Sequence, residues 1–379
     1  MLCLVSWCVG NGWAQDALPE LGPEVSLRQE IQRAIERGLA WLEKSQNTNG
    51  YWSTADHPAL TALALIAFKG DPAGRYRSAE PAWMQRAYAF ILECRQPDGG
   101  IHRTNLANYN TALSLLALLA ADKPAYTPAI LQARRFLIGQ QIDLGEKGKV
   151  DTVFDGGVGY GSKSEHSDMS NTLLALEALH YSRRLAQDQP GAPDLNWPAA
   201  IHFLQNCQNL PGSNTQNWVS EDPKDKGGFV YFPGQSMAGA RTNAATGRVA
   251  LRSYGSISYA GMLSYIYADL KREDPRVLAV YEWLRQNYTL EENPGLGAEG
   301  LFYYFHTMSK ALTAYGAKAL DLGGGRQVNW RRALGLKLLN CQQRDGSWFN
   351  EQQGRWWEKD PALVTAYCVH ALELIYRGM

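Results

Sequence analysis

Gln46-Asn47-Thr48-Asn49-Gly50-Tyr51-Trp52 and Gln342-Gln343-Arg344-Asp345-Gly346-Ser347-Trp348 share the pattern Gln-x-x-x-Gly-x-Trp, about 300 residues apart. Each follows an amphipathic helical stretch and precedes an alanine-rich one. A unit repeated along a chain defines an architecture made by stacking copies of one supersecondary element. Looser copies lie between them: Pro97-Asp98-Gly99-Gly100-Ile101-His102, Asp155-Gly156-Gly157-Val158-Gly159-Tyr160 and Gly227-Gly228-Phe229-Val230-Tyr231. Glycine takes positive φ readily after a helix. The Trp can pack back on the helix pair, and the Gln can bond backbone groups left free at the helix end. These turns read as helix-end staples rather than as catalytic groups.

Outward from the turns, the 3.6-residue period predicts two interleaved series of helices. One has charged faces and an aromatic or aliphatic end: Ser26 to Ser45, Pro81 to Arg95, Thr127 to Gln140, Trp197 to Cys207, Pro275 to Asn287 and Trp330 to Cys341. The other is greasier: Pro58 to Phe68, Tyr109 to Ala120, Ser170 to Tyr181, Ser256 to Ala268, Phe302 to Ala317 and Pro361 to Tyr376. A helix that is apolar all round is buried on most sides. Six amphipathic helices alternating with six buried ones predict an all-α (α/α)6 toroid, with the buried helices forming the inner ring. The toroid spans residues 26–379, with a linker at 16–25 and an irregular insertion at 209–254.

Helix pairs joined by these glycine-aromatic turns resemble the squalene/oxidosqualene cyclase and protein prenyltransferase β-subunit superfamily, from about Ser26 to Tyr376. Family cyclases carry two helical domains in a longer chain, so the resemblance implies a single toroid standing alone. It also implies an isoprenoid or related lipid in a central cavity. The family's chemistry is not carried over. No Asp-x-Asp-Asp acid occurs, and Asp151-Thr152-Val153-Phe154-Asp155 has the wrong spacing. The stretch from Gly227 to Ser256 supplies neither the Cys nor the His of the prenyltransferase zinc site, and no Asp-Asp-x-x-Asp magnesium motif exists. No metal or other cofactor is called for.

Thirty-seven basic against 37 acidic side chains leave no net charge, which argues against a nucleic-acid partner. Residues 1–15 are apolar and end in small residues around Gly12-Trp13-Ala14, as an export signal would, but without a basic start. On that reading the protein is periplasmic or secreted; otherwise it is cytoplasmic. The run is too short for a stable transmembrane segment. Cys94, Cys207 and Cys341 each sit just before a helix-ending glutamine, a packing position rather than a disulfide or zinc pattern.

In a toroid the N-termini of the inner helices converge on one mouth of the central cavity, the default ligand site. The polar residues there are the candidates. Asp168 and His166, in Glu165-His166-Ser167-Asp168, with His306 on the opposite wall, form a candidate acid–base set. Asp56, Tyr109, Asn171, Tyr259, Tyr303, Tyr304, Trp357, Asp360 and Arg252 are candidate substrate-binding residues. Asp at a helix start is first of all an N-cap, and an inner-wall His can be core. Three functions stay open: an enzyme acting on an isoprenoid through an unrecognised catalytic group, a non-catalytic binding or scaffold toroid, and a secreted polysaccharide lyase or hydrolase. The partner is accordingly a hydrophobic small molecule or a glycan.

Overall fold

The computed structural model describes residues 23–77, 80–161, 166–187, 191–242, 244 and 246–379. The candidate export segment at 1–15 and Glu165 lie outside the described residues. The outer ring consists of α1 (Pro23–Ser45), α3 (Ala82–Glu93), α5 (Thr127–Gly139), α7 (Trp197–Cys207), α9 (Pro275–Gln286) and α11 (Trp330–Cys341). The inner ring consists of α2 (Pro58–Gly70), α4 (Ala107–Ala120), α6 (Met169–Gln187), α8 (Gly255–Tyr267), α10 (Leu301–Tyr315) and α12 (Pro361–Arg377). Each inner helix packs on the next, and α12 packs back on α2, so the ring closes. This is the (α/α)6 toroid that the periodicity predicts.

The division into rings follows from composition. In α8 every residue except Ile266 is buried, whereas α9 buries only the stripe Val277, Val280, Trp283 and Leu284. Local signals set the starts: Pro opens α2, α7, α9 and α12, and Asn196, Asp274 and Asn329 cap the helices they precede. Residues 209–254 are largely irregular, ending in a hairpin of β1 (Ala240–Thr242) and β2 (Val249–Leu251). A second hairpin, β3 (Leu320–Asp321) with β4 (Gln327–Val328), links α10 to α11. Among the described residues no helix is long and apolar enough to cross a membrane.

The repeat turns are the joints of the ring. Gln46 Nε2 donates to the Gly50 carbonyl at 2.9 Å and to the Trp83 carbonyl of α3 at 3.0 Å. Gln342 Nε2 donates to the Gly346 carbonyl and to the Ala34 carbonyl of α1, both at 2.9 Å, tying the last outer helix to the first. Gly50 and Gly346 have φ of 93° and 98°. A Cβ on either would stand 2.6 Å from a carbonyl oxygen of the next outer helix, Arg86 or Arg37. Only glycine meets both demands. Trp52 and Trp348 are fully buried, and their indole N–H groups donate back to Leu42 and Leu338 at 2.7 and 2.8 Å.

Two of the looser copies reproduce the same joint, whereas Gln96 donates to the Cys94 and His102 carbonyls instead. Gln141 donates to the Gly156 and Asn196 carbonyls, and Gln208 to the Gly227 and Arg276 carbonyls. On five of the six inner helices a hydroxyl receives the turn's backbone N–H: Thr61 from Trp52, Thr111 from Ile101, Thr172 from Val158, Ser258 from Phe229 and Thr365 from Trp348. The joint therefore ties an outer helix, its successor and the inner helix between them.

Where α12 meets α2, Glu373 is fully buried against Gly70, and neither carboxyl oxygen has a hydrogen-bond partner among the described residues. Burial, and to a smaller degree Asp71, raise its carboxyl well above the usual range. The folded state thus holds a proton that the unfolded chain releases, and stability falls as pH rises through the folded value.

Two outcomes follow for urea denaturation. Gln342→Ala removes the two bonds of Nε2 and an exposed one from Arg37 to Oε1 at the closing joint and lowers stability by about 2 kcal/mol, whereas Gln343→Ala, on an exposed bond to Glu351, changes it by less than about 0.5 kcal/mol. Glu373→Met raises stability at pH 8 by about 1–3 kcal/mol, with a smaller gain at pH 4.

Candidate functional site

The inner ring encloses a cavity of about 860 Å³. Its lining runs the length of the inner helices, from His57, Tyr160 and Trp357 at their N-terminal end to Ala120, Tyr181 and Ala314 at the other. Lining residues are exposed at both ends: Tyr160 and Trp357 at one, Tyr181 at the other. Leucines and isoleucines of α2, α4 and α6 form one continuous apolar wall, among them Leu63, Ile66, Leu116 and Leu174. The facing wall, from α8, α10 and α12, is aromatic and polar, with Tyr254, Tyr303, His306 and Tyr367.

At the N-terminal mouth the hydroxyls of Tyr160 and Tyr231 lie 2.5 Å apart. Trp356 and Trp357 hold φ of 54° and 66°, a left-handed backbone that costs a non-glycine residue roughly 1–2 kcal/mol each. The strain sets the Trp357 ring 5.1 Å from that of His57. Burial lowers the His57 pKa, although Asp56 opposes the shift.

Of the sequence candidates, Tyr109, Asn171, Tyr303, His306 and Trp357 border this cavity. The others do not, and each has a structural reason. Asp168 is fully buried behind Asn171 and caps α6. Its Oδ1 accepts from the N–H groups of Ser170 and Asn171 at 2.9 and 3.0 Å, and its Oδ2 from Asn171 Nδ2 at 2.8 Å. Desolvation raises its pKa to about 6, outweighing those bonds. Asp360 caps α12 through Ala362 N–H and accepts a bond from Ser53. Tyr259 and Tyr304 are buried with their rings 5.6 Å apart, and Tyr304 donates to the Thr289 carbonyl just beyond α9. They pack outward from the inner ring rather than into the lumen. His166 lies on Phe232 with ring centres 4.3 Å apart, outside the lining. Asp56 is exposed in the turn before α2. Arg252 donates to the Ala238 carbonyl within the irregular segment. The acid–base set of Asp168, His166 and His306 is therefore not assembled around one point of the cavity.

Sequence reasoning missed the groups deeper in the lumen. Lys310 Nζ of α10 pairs with Glu177 Oε2 of α6 at 2.6 Å, both side chains almost fully buried, and Tyr267 Oη of α8 donates to Glu177 Oε1 at 3.3 Å. His370 stands 5.1 Å from His306, ring to ring. Burial, then the Lys310 charge, lowers the pKa of both: that of His306 well below its usual range and that of His370 to about 3. Both rings are neutral at physiological pH. Their signal in the sequence was a lone charge or imidazole inside a helix otherwise poor in charge. Glu358, also buried, accepts from the Tyr303 N–H at 2.7 Å and from Asn350, capping α10 from outside; burial lifts its pKa to about 7.

No protein-family model matches the chain. A 77-residue stretch is 40% identical to drimenyl diphosphate synthase of Streptomyces showdoensis, covering 19% of this chain and 14% of that protein. A 134-residue stretch is 31% identical to alpha-onocerin synthase LCD of Lycopodium clavatum, covering 31% of this chain and 18% of that one. The matches thus span less than a fifth of either relative. Among solved structures, the type II terpene cyclase MstE from Scytonema superposes with a TM-score of 0.57 at 12% identity, over 93% of this chain and 99% of that one. The alpha-1,6-mannanase GH76A of Salegentibacter sp. HEL1_6 superposes at 0.55 and 11% identity, over 92% and 100%. The chain carries the terpene cyclase-like (α/α)6 toroid fold.

The raised pKa of Asp168 sets a pH dependence. An unfolded Asp titrates near pH ~4 and the folded one at about 6. The folded state holds the extra proton between those values, so this contribution is complete below pH ~4 and lost as pH rises to ~6. Asp168→Asn keeps the cap, and rotation of the Asn171 amide, whose Oδ1 has no partner among the described residues, restores the remaining bond. In urea denaturation the variant matches wild type at pH 4 and exceeds it by about 2 kcal/mol at pH 8.

Proposed function

We propose that the chain binds an isoprenoid or related lipid in the central cavity and acts by holding it rather than by protonating it. The observation that carries this reading is the lining. A lumen of about 860 Å³ has one long aliphatic wall and one aromatic wall, and among the described residues its single carboxylate, Glu177, is already paired with Lys310. The size lies in the ordinary range for a small-molecule site. Aliphatic side chains recognise an isoprenoid by the apolar area that they remove from water. The relatives support the same class of ligand, one being a drimenyl diphosphate synthase and the other an alpha-onocerin synthase. MstE was solved with geranylgeranyl dihydroxybenzoate as substrate in a toroid of this fold.

The polar groups argue for binding over turnover. Protonating a polyene needs an acid facing the lumen, and the buried carboxyls of Asp168 and Glu358 are both engaged as helix caps behind the wall. His306 and His370 are held neutral, so neither is a proton donor of useful strength. The hydrolase reading, favoured by the mannanase neighbour alone, needs two carboxyl groups about 5–10 Å apart across the substrate. Among the described residues, one ion-paired Glu177 does not supply them.

Calorimetric titration with geranylgeraniol, delivered from cyclodextrin, tests the reading. Wild type is expected to bind with Kd of roughly 10 μM or tighter, and Leu116→Trp, which fills the lumen, to weaken binding at least tenfold while the fold stays intact by circular dichroism. Binding of α-1,6-mannotriose in place of geranylgeraniol would refute it.

A further inference from the structure

The deep polar node is unexpected in a lumen that otherwise suits a hydrocarbon. Lys310 and Glu177 belong to α10 and α6, which are not neighbours in the ring; α8 lies between them. Their 2.6 Å contact therefore passes over the inward face of α8, where Tyr267 joins it from below. All three side chains border the cavity. Glu177 lies eight residues into α6 from Met169, about 12 Å along the helix axis from the N-terminal mouth. The node is thus well inside the lumen and nearer its other end, where Tyr181 is exposed.

A buried ion pair is poor value as a staple. Well-packed apolar side chains in its place are often as stable or more so. Its hydrogen-bonding capacity is also only partly used. The Lys310 ammonium has three donors, and among the described residues Glu177 is its one hydrogen-bond acceptor. Glu177 receives Lys310 on one oxygen and only a long bond from Tyr267 on the other.

The charge state narrows the complement. The pair sums to zero, and the neighbouring His306 and His370 are uncharged. An anionic ligand group would leave Glu177 facing a like charge, and a cationic one would do the same to Lys310. A neutral oxygen takes a bond from Lys310 without disturbing the pair, and a hydroxyl also returns one to Glu177.

We infer that the cavity selects a neutral oxygenated isoprenoid, whose hydroxyl or carbonyl oxygen bonds Lys310 and Glu177 while its hydrocarbon body lies along the aliphatic wall of α2, α4 and α6. This rests on the reading of the cavity as an isoprenoid site and adds the functional group and its position. A ligand without that oxygen leaves buried donors unmet, a stronger ground for rejection than a missing methylene.

Three C20 probes of like carbon skeleton test it by calorimetry on the whole protein at pH 7: phytol, phytane and phytanic acid. Phytol is expected to bind at least tenfold tighter than phytane and tighter than ionised phytanic acid. In the Glu177→Gln/Lys310→Met double variant, the preference of phytol over phytane is expected to fall below threefold. Equal binding of phytol and phytane by wild type overturns this inference alone, needs no variant, and leaves the isoprenoid site standing. A preference that survives in a folded double variant, or tightest binding of phytanic acid, also overturns it. Failure of both phytol and phytane to bind overturns this inference and the isoprenoid reading together.

Discussion

One side-chain amide, donating twice, holds this ring together. At the joints of Gln46, Gln141, Gln208 and Gln342, a single Nε2 bonds the carbonyl of its own turn glycine and a carbonyl of the next outer helix or its cap. The Asn196 carbonyl also accepts the Ala200 N–H, so there the amide uses the second lone pair of a carbonyl already bonded in its helix. The glycine must be left-handed to bring the turn against that helix, and a hydroxyl of the inner helix fixes the turn from the other side. The Gln342 joint matters most because it bonds α11 to α1 and turns a linear array into a closed ring.

Closure creates the site. Six inner helices packed side by side cannot fill the axis that they surround, so a lumen remains whose character depends on which face each helix turns inward. On α2, α4 and α6 that face is mostly aliphatic, interrupted by Tyr109, Asn171 and Glu177; on α8, α10 and α12 it is richer in tyrosine, histidine and lysine. Two buried carboxyls at the N-terminal end of the ring, Asp168 and Glu358, satisfy the N-terminal N–H groups of α6 and α10. The groups that look most catalytic in composition are thus occupied in holding the walls. What faces the ligand is mainly hydrocarbon, aromatic surface and one internal ion pair.

All twelve helices were legible in the sequence from their period, with proline openings at several and repeat turns at several of the junctions. The site was legible only in part. Tyr109, Asn171, Tyr303, His306 and Trp357 reach the lumen as expected, but Tyr259 and Tyr304 do not. A helix that is apolar on every side carries no amphipathic stripe to say which face points inward. The joints of Gln141 and Gln208 were hidden for a different reason: residues 142–155 and 209–226 separate each glutamine from its glycine, so the pattern is intact in space and broken in spacing. Glu177 and Lys310 lay in plain view as charges within buried helices. Their partnership was not visible, because it spans 133 residues and skips a neighbour in the ring.

The most direct test of the central claim is a crystal structure of the protein grown with geranylgeraniol. The account predicts continuous ligand density along the ring axis, between Leu116 on the aliphatic wall and Tyr303 on the aromatic one. A lumen closed by its own side chains, or density confined to the outer surface, would contradict it.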